Sequence, residues 1–270
     1  MGSLWHALDL YRRFIRLRIR AQMVYRVSFL LYLLAVTLTH LAEFGSLALI
    51  LQRFEGIGGW SLREVAFLYG MVTTAFGVMD LLFGGFDPGT FGEHVRKGTL
   101  DQFLLRPVDV TVQVFGSGFW LRRLGRIGQG VAILSVGLSE VQWTLGKALY
   151  LPVVFTSMVL FFGALFIVGS TITFWTVESI EAVNIFTYGG SEMISYPMHI
   201  YWAGLRRFFT FVIPAIFLNY APALYFLDKP DPLGLPAVGP FLSPLVGVGA
   251  MVAALAFWQF GLRHYKSTGT

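Results

Sequence analysis

Apolar runs of membrane-spanning length recur six times along these 270 residues, and such runs admit few folds. Crossing about 30 Å of hydrocarbon takes roughly 20 apolar residues in a helix. Within that hydrocarbon every backbone N–H and C=O has to find its partner in the protein itself, which a helix provides. The runs lie at 27–51, 65–86, 127–141, 149–175, 208–227 and 241–262. With short connections they use nearly the whole chain, so residues 1–270 are expected to form one all-α, polytopic membrane domain. The third run is the shortest, and Arg122, Arg123 and Arg126 stand just before it, where lipid headgroups are expected. The first run exceeds the 7–15 residues or so of a signal-peptide core and lacks a small-residue cleavage site, so it is expected to stay in the mature protein.

Charge gives these runs a direction. Only 13% of the residues are charged and 56% are hydrophobic, against roughly a quarter charged in soluble domains. The basic excess, a formal charge of +5, flanks the apolar runs, which is what orientation in a bilayer needs and not what a nucleic-acid surface looks like. No nucleic-acid partner is expected. With both termini on one face, that face receives sixteen Lys and Arg residues, and the other receives only Arg53, Arg63, Lys147 and Lys229. Such a split puts the termini in the cytoplasm. The chain has no cysteine, which excludes disulfides, thiolate metal sites and a cysteine nucleophile.

Residues 1–26 read as an amphipathic helix lying in the headgroup plane. Leu4, Leu8, Tyr11, Ile15 and Ile19 share one face, Arg13, Arg16 and Arg20 lie opposite, and Arg18 is off pattern. The stripe suits an anchor on membrane lipids or a grip on a partner. Spans 1 and 2 are expected within 27–86, and spans 3 and 4 within 109–175. Spans 5 and 6 are expected within 206–264, with a second cytoplasmic connection at 176–205 where Glu178, Glu181 and several aromatic residues cluster. Pro214 and Pro222 are expected to kink the fifth span, tolerable where neighbours satisfy the freed carbonyls. Small residues at 249 and 253, and at 250 and 254, allow a close helix approach on the sixth.

The polar insert at 87–108 is the most informative connection. Gly98 interrupts any helix running on from Glu93, Thr99 and Gln102 have the spacing of a capping box, and Arg106-Pro107 closes the turn. Leu100, Phe103 and Leu104 then share a face, with Asp101 in the first turn. A helix this short is unstable alone and needs a surface to dock against, either its own spans or a separate protein. The chain cannot bind ATP through a P-loop, because Gly146-Lys147 is followed by Ala148 and Val141 stands where the first glycine should be. His40 and Glu43, one helical turn apart in the first run, have a spacing that could bind a metal or relay a proton but read first as a polar contact across a helix bundle or a pore-lining pair, and Asp80 near the inner end of the second run reads as a capping, interfacial or helix-pairing carboxylate. Two functional readings rest on these groups: an intramembrane lipid-modifying enzyme using His40 and Glu43, and a secondary transporter driven by protonation of Glu43 or Asp80.

The order of amphipathic helix, two spans, Arg96-Lys97-Gly98-Thr99-Leu100-Asp101-Gln102-Phe103-Leu104-Leu105-Arg106-Pro107, Phe174-Trp175, Tyr196-Pro197, Ile213-Pro214 and Tyr220-Ala221-Pro222 resembles the ABC-2 type exporter permeases. It is most similar to their small six-span branch without large extracellular domains. The resemblance implies a permease with no catalytic site of its own, in the inner membrane of a prokaryote, paired with a second permease as a homodimer or related heterodimer. It also implies a cytoplasmic ABC ATPase subunit that holds ATP and Mg, leaving this chain without a cofactor. Thr99, Leu100, Asp101, Gln102, Phe103, Leu104 and Arg106 would form the coupling helix, and His40, Glu43 and Asp80 would border the path of a hydrophobic or amphiphilic substrate. The family has re-entrant helices before its last span, and the 228–240 loop leaves open whether this chain has them.

Overall fold

The computed structural model describes residues 2–53, 56–176 and 181–266, with side chains from Asp9 onward except at 40–41, 43–44, 47–48, 50–55 and 177–182. The described residues are helical almost throughout. The run Leu62–Arg96, the helix Leu145–Thr176 and the helix Ser243–His264 are each long and apolar enough to cross a membrane, and two bent pairs raise the number to five if each is one span.

Local chemistry sets the boundaries. Helix α1 (Gly2–Met23) turns by 94° into α2 (Arg26–Arg53), and Gln22 fixes the corner by donating to Phe119 O at 2.9 Å and accepting from Leu121 N at 2.9 Å. Helix α3 (Leu62–Phe83) opens on a capping box, Ser61 with Glu64. Before it, Gly58 and Gly59 take φ of +57° and +79° in a tight turn between Ile57 and Trp60, a left-handed conformation that glycine adopts without steric cost. Helix α4 (Pro88–Arg96) has Pro88 at its first position and the Asp87 carboxylate as N-cap. Helix α5 (Thr99–Leu104) follows across Gly98, whose φ of +64° again calls for glycine. Helix α6 (Val110–Ser117) is capped by Asp109, and α7 (Leu124–Leu138) follows a 3₁₀ turn. At 15 residues, α7 is only about 22 Å long; it takes in Arg126 in its first turn, and Arg122 and Arg123 lie before it in the 3₁₀ turn.

Helices α3 and α7 pack antiparallel, in a register set by glycine every seven residues. A Cβ at Gly70 would lie 2.5 Å from Leu134 Cα, one at Gly130 would lie 2.5 Å from Thr74 N, and Gly137 sits as tightly on Phe67. Helix α8 (Leu145–Thr176) runs parallel to α3, with Phe76 beside Phe162 and Ser170 Oγ donating to Phe86 O at 2.6 Å. The last helix, α13 (Ser243–His264), lies parallel to α8: Gly247 rests on Ser157 and Gly261 on Thr171. The small residues that hold it are Gly247, Ala254 and Gly261, a heptad stripe. Gly249, expected in a small-residue contact, faces open space. Helices α3, α8 and α13 therefore all run from an end marked by Trp60 to an end marked by Asp87.

The stretch between α8 and α13 departs from expectation. Val183, within α9 (Glu181–Asn184), lies against Gly169, as Pro88 does, at the Asp87 end. A π-helical turn at Ile185–Gly189 and α10 (Gly190–Ile194) then carry the chain toward the other end. There the Asn219 amide donates to both Leu68 O and Ile194 O, and His199 Nε2 lies 2.7 Å from Gly58 O. Residues 176–205 are therefore not a connection confined to the Asp87 end, because 198–202 lie beside Trp60. Helix α11 (Ala203–Arg207) with a second π turn, and α12 (Tyr220–Phe226) after Pro214, form a pair bent by 79°. Both ends of the pair lie at the Trp60 end. Arg206 donates to His199 O, and beyond α12 Lys147 meets Phe226 O at 3.0 Å and Asp228 at 2.6 Å, while Lys229 meets Glu64 at 2.8 Å. The run at 208–227, expected as the fifth span, enters and leaves the same end, and Ile213 near its apex lines a cavity together with Leu165 and Thr187. The break follows from Pro214, which lacks an N–H and disfavours helix at Ile213.

Candidate functional site

The knob at 87–108 is rooted in the bundle, and only its tip is free. Leu100 is fully buried in the chain's own core, and Phe103 packs half-buried on the same core. Leu104 and Leu105 stay exposed, Leu105 at 85%. The face expected to enter a partner is thus divided: Leu100 cannot leave the core, and Leu105, not singled out by the spacing, replaces it at the surface. Helical periodicity shows which residues share a face but not which face the rest of the chain already covers. The expected Thr99–Gln102 capping box does not form, because Gly98 is the N-cap and Thr99 is the first helical residue. Thr99 Oγ1 instead contacts His94 O at 3.3 Å and His94 Nδ1 at 2.9 Å, and Gln102 is exposed. Arg106 lies over the Phe103 ring at 5.8 Å.

One side chain closes the knob on itself and two tie it to α13 and the residue just past it. Gln113 Nε2 donates to Phe103 O at 2.9 Å and Val108 O at 3.0 Å, closing the α5–α6 corner. Trp258 of α13, fully buried, sits among Phe86, Phe91 and Phe174 with ring centroids 4.9, 5.4 and 5.2 Å away, and its Nε1 donates to Thr111 at 3.1 Å. Just past α13, the Tyr265 hydroxyl donates to Asp101 Oδ1 at 3.1 Å. Burial, and then the Asp101 carboxylate, push that phenol up to about 12, so it remains a donor at neutral pH.

At the same end a cavity of about 340 Å³ opens among Tyr32, Asp80, Asp87, Arg122, Arg126 and Tyr188. Asp80 pairs α3 with the start of α7: Arg123 Nε lies 2.9 Å from Asp80 Oδ2, and the same guanidinium donates to Asp80 O and to Gly118 O at 3.0 Å. Both side chains are nearly buried, at 12% and 15% exposure. Removing either partner from a buried pair typically costs about 3–5 kcal/mol. His40 and Glu43 lie outside the residues whose side chains are described. Arg13, Arg16 and Arg20 are exposed on α1, Arg13 with Asp9 at 2.9 Å, while Tyr11, Ile15 and Ile19 are half-buried. Phe14 lies against Gly116 of α6. Arg18, off the expected stripe, lies over the Trp120 ring at 5.9 Å.

Long apolar helices, charge gathered at their ends and a helical knob rooted at one of those ends define an integral membrane protein of the transporter-permease class. The chain belongs to the ABC-2 transporter family: residues 37–269 match the family model described as ABC-2 family transporter protein. No curated protein sequence matches the chain. Membership makes it the transmembrane component of a transporter, in a family whose permeases generally partner with an ATP-binding subunit.

Proposed function

We propose that this chain is the permease subunit of an ATP-binding cassette exporter, moving a hydrophobic or amphiphilic substrate with ATP hydrolysed by a separate nucleotide-binding subunit that also holds Mg. The observation that carries the reading is the α5 tip: Leu104, Leu105 and Arg106 exposed on a helix whose root, Leu100, is locked in the bundle. A push on the tip passes through Leu100 and Phe103 to the Trp258 cluster and Asp101–Tyr265, and from there to α8 and α13. Thr99 and Asp101 hold the tip in place through His94 and Tyr265, exposed Gln102 adds to its free surface, and Arg13, Arg16 and Arg20 offer the ATPase partner a second, basic contact on α1.

Two permeases, identical or related, surround the path in this reading, and Asp80, His40 and Glu43 lie along its cytoplasmic half or within span 1. Each has six passes, with 181–200 replacing 208–227 as the fifth. The Asp87 end and both termini lie in the cytoplasm of a prokaryote's inner membrane. Moving Arg206 and Arg207 to the opposite end changes the basic split to fourteen against six, still a strong bias.

The test is Leu104→Asp with Leu105→Asp in the purified permease–ATPase complex. Burying one leucine in a partner contributes about 1.5–3 kcal/mol, so the double variant is expected to insert and fold normally but lose its ATPase partner or its stimulated hydrolysis. Full partner retention and transport at normal protein level would sink the coupling role.

A further inference from the structure

We propose that the cavity at the Asp87 end takes the phosphate-bearing headgroup of an amphiphile, whose acyl part lies along α2. That this amphiphile is cargo rests on the exporter reading; the binding itself does not. The cavity's walls carry three guanidinium groups, Arg122, Arg123 and Arg126, against two carboxylates, Asp80 and Asp87. Both carboxylates are engaged. Asp80 holds Arg123 at 2.9 Å, while Asp87 caps Thr90 N at 3.0 Å and accepts from Tyr188 Oη at 3.1 Å.

The other two arginines are poorly compensated. Arg122 lies 5.4 Å above the Tyr32 ring and 5.1 Å above that of Trp120. Arg126 lies 4.3 Å over Phe76, its nearest carboxylate is the exposed Glu192 at 3.7 Å, and its Nε is buried with no hydrogen-bond partner. All three also crowd the start of α7, which has no side-chain cap and whose dipole adds positive potential. A dianionic or monoanionic phosphate satisfies these donors, since guanidinium and phosphate match in geometry and form strong charge-assisted bonds.

Two further features narrow the ligand. Asp80 Oδ1 is buried without a partner, so a headgroup with a hydroxyl or ammonium donor complements the site better than bare phosphate. Beside Thr90 and Tyr188, the wall includes Tyr32 and Val36 of α2, whose neighbours Leu31, Leu34 and Leu38 are all more than half exposed on a helix apolar enough for lipid contact. A volume of about 340 Å³ holds a headgroup and not a whole lipid, being at the low end for ligand pockets, roughly 300–1,000 Å³.

The experiment is native mass spectrometry of the full-length chain in detergent, without an ATPase partner, so its outcome is independent of the exporter reading. The probes are dihexanoyl phosphatidylglycerol, dihexanoylglycerol and inorganic phosphate. Wild type is expected to retain one phosphatidylglycerol, with the other two probes at least about tenfold weaker. Arg122→Gln should lose about tenfold, the worth of one charge-assisted hydrogen bond, and Arg122→Gln with Arg126→Gln more. The Arg122 side chain is exposed and lies over the Tyr32 and Trp120 rings, so the single variant decides the matter even if the double variant does not fold. Equal retention by wild type and Arg122→Gln overturns the proposal. So does dihexanoylglycerol binding as tightly as the phospholipid, or free phosphate doing so, which would make the cavity a plain anion site.

Discussion

Tyr265 stands just beyond α13, yet its hydroxyl reaches Asp101, 164 positions earlier. Nothing local in the sequence marks that contact, and the same holds for Asp80 and Arg123: one was visible as a charged group within an apolar run and the other as one beside a run, but partners 43 positions apart carry no spacing signal. Polar residue types in an apolar chain are legible from sequence, whereas their pairing is a product of helix packing. If the Tyr265–Asp101 bond transmits motion from α5 to α13, Tyr265→Phe should keep its ATPase partner yet lose most substrate-stimulated hydrolysis, and unchanged stimulation would show the bond to be only a strut. Its pH dependence has a definite sign. The folded phenol titrates at about 12 against an ordinary 10.0, so the bond's contribution is complete below pH 10 and is lost as pH rises from 10 toward 12. Stimulated hydrolysis should therefore show no tyrosine-dependent change between pH 6 and 9, measured as the wild-type to Tyr265→Phe ratio.

Helix α7 is the element that composition described least well. Its 15 residues make a marginal span by length, and its place is fixed by glycines at 130 and 137 that admit the backbone of α3, as Gly70 and Gly77 do in return. Close approach of this kind is how helices gain van der Waals contact where lipid removes the hydrophobic drive between them. The spacing was present in the sequence, but so was the 249/253 pair, which faces open space. Small residues are readable; which of them has a helix opposite is not. Gly130→Leu should cost about 1–3 kcal/mol or more from overpacking against Thr74, read as a lower temperature of aggregation in detergent. Gly249→Ala should leave that temperature unchanged. Equal tolerance at both positions would contradict the packing described for α3 and α7.

The long apolar helices and the rooted knob follow from hydropathy and turn chemistry, so most of the bundle was legible as a list of elements. Its path was not, because an apolar run of 20 residues reads alike whether it crosses a bilayer or turns back within it. Here the decision lies in Pro214, which breaks the run, and in polar contacts that hold both ends of 203–226 beside Trp60: Arg206 to His199, His199 to Gly58, and Lys147 to Asp228. Those contacts reverse the side on which Arg206 and Arg207 were expected. The chain has no cysteine, so single cysteines at 97, 147, 206, 229 and 266 can be tested one by one with a membrane-impermeant thiol reagent on intact cells. With the Asp87 end in the cytoplasm, positions 206 and 229 should label from outside, the buried 147 from neither side, and 97 and 266 only after the membrane is opened. Position 206 is the discriminating one, since six straight spans would put it with 97. Labelling of 206 together with 97 would restore 208–227 as a crossing helix and remove the re-entrant pair; labelling of 97 from outside would invert the whole molecule and place the exposed tip of α5 beyond the reach of any cytoplasmic ATPase.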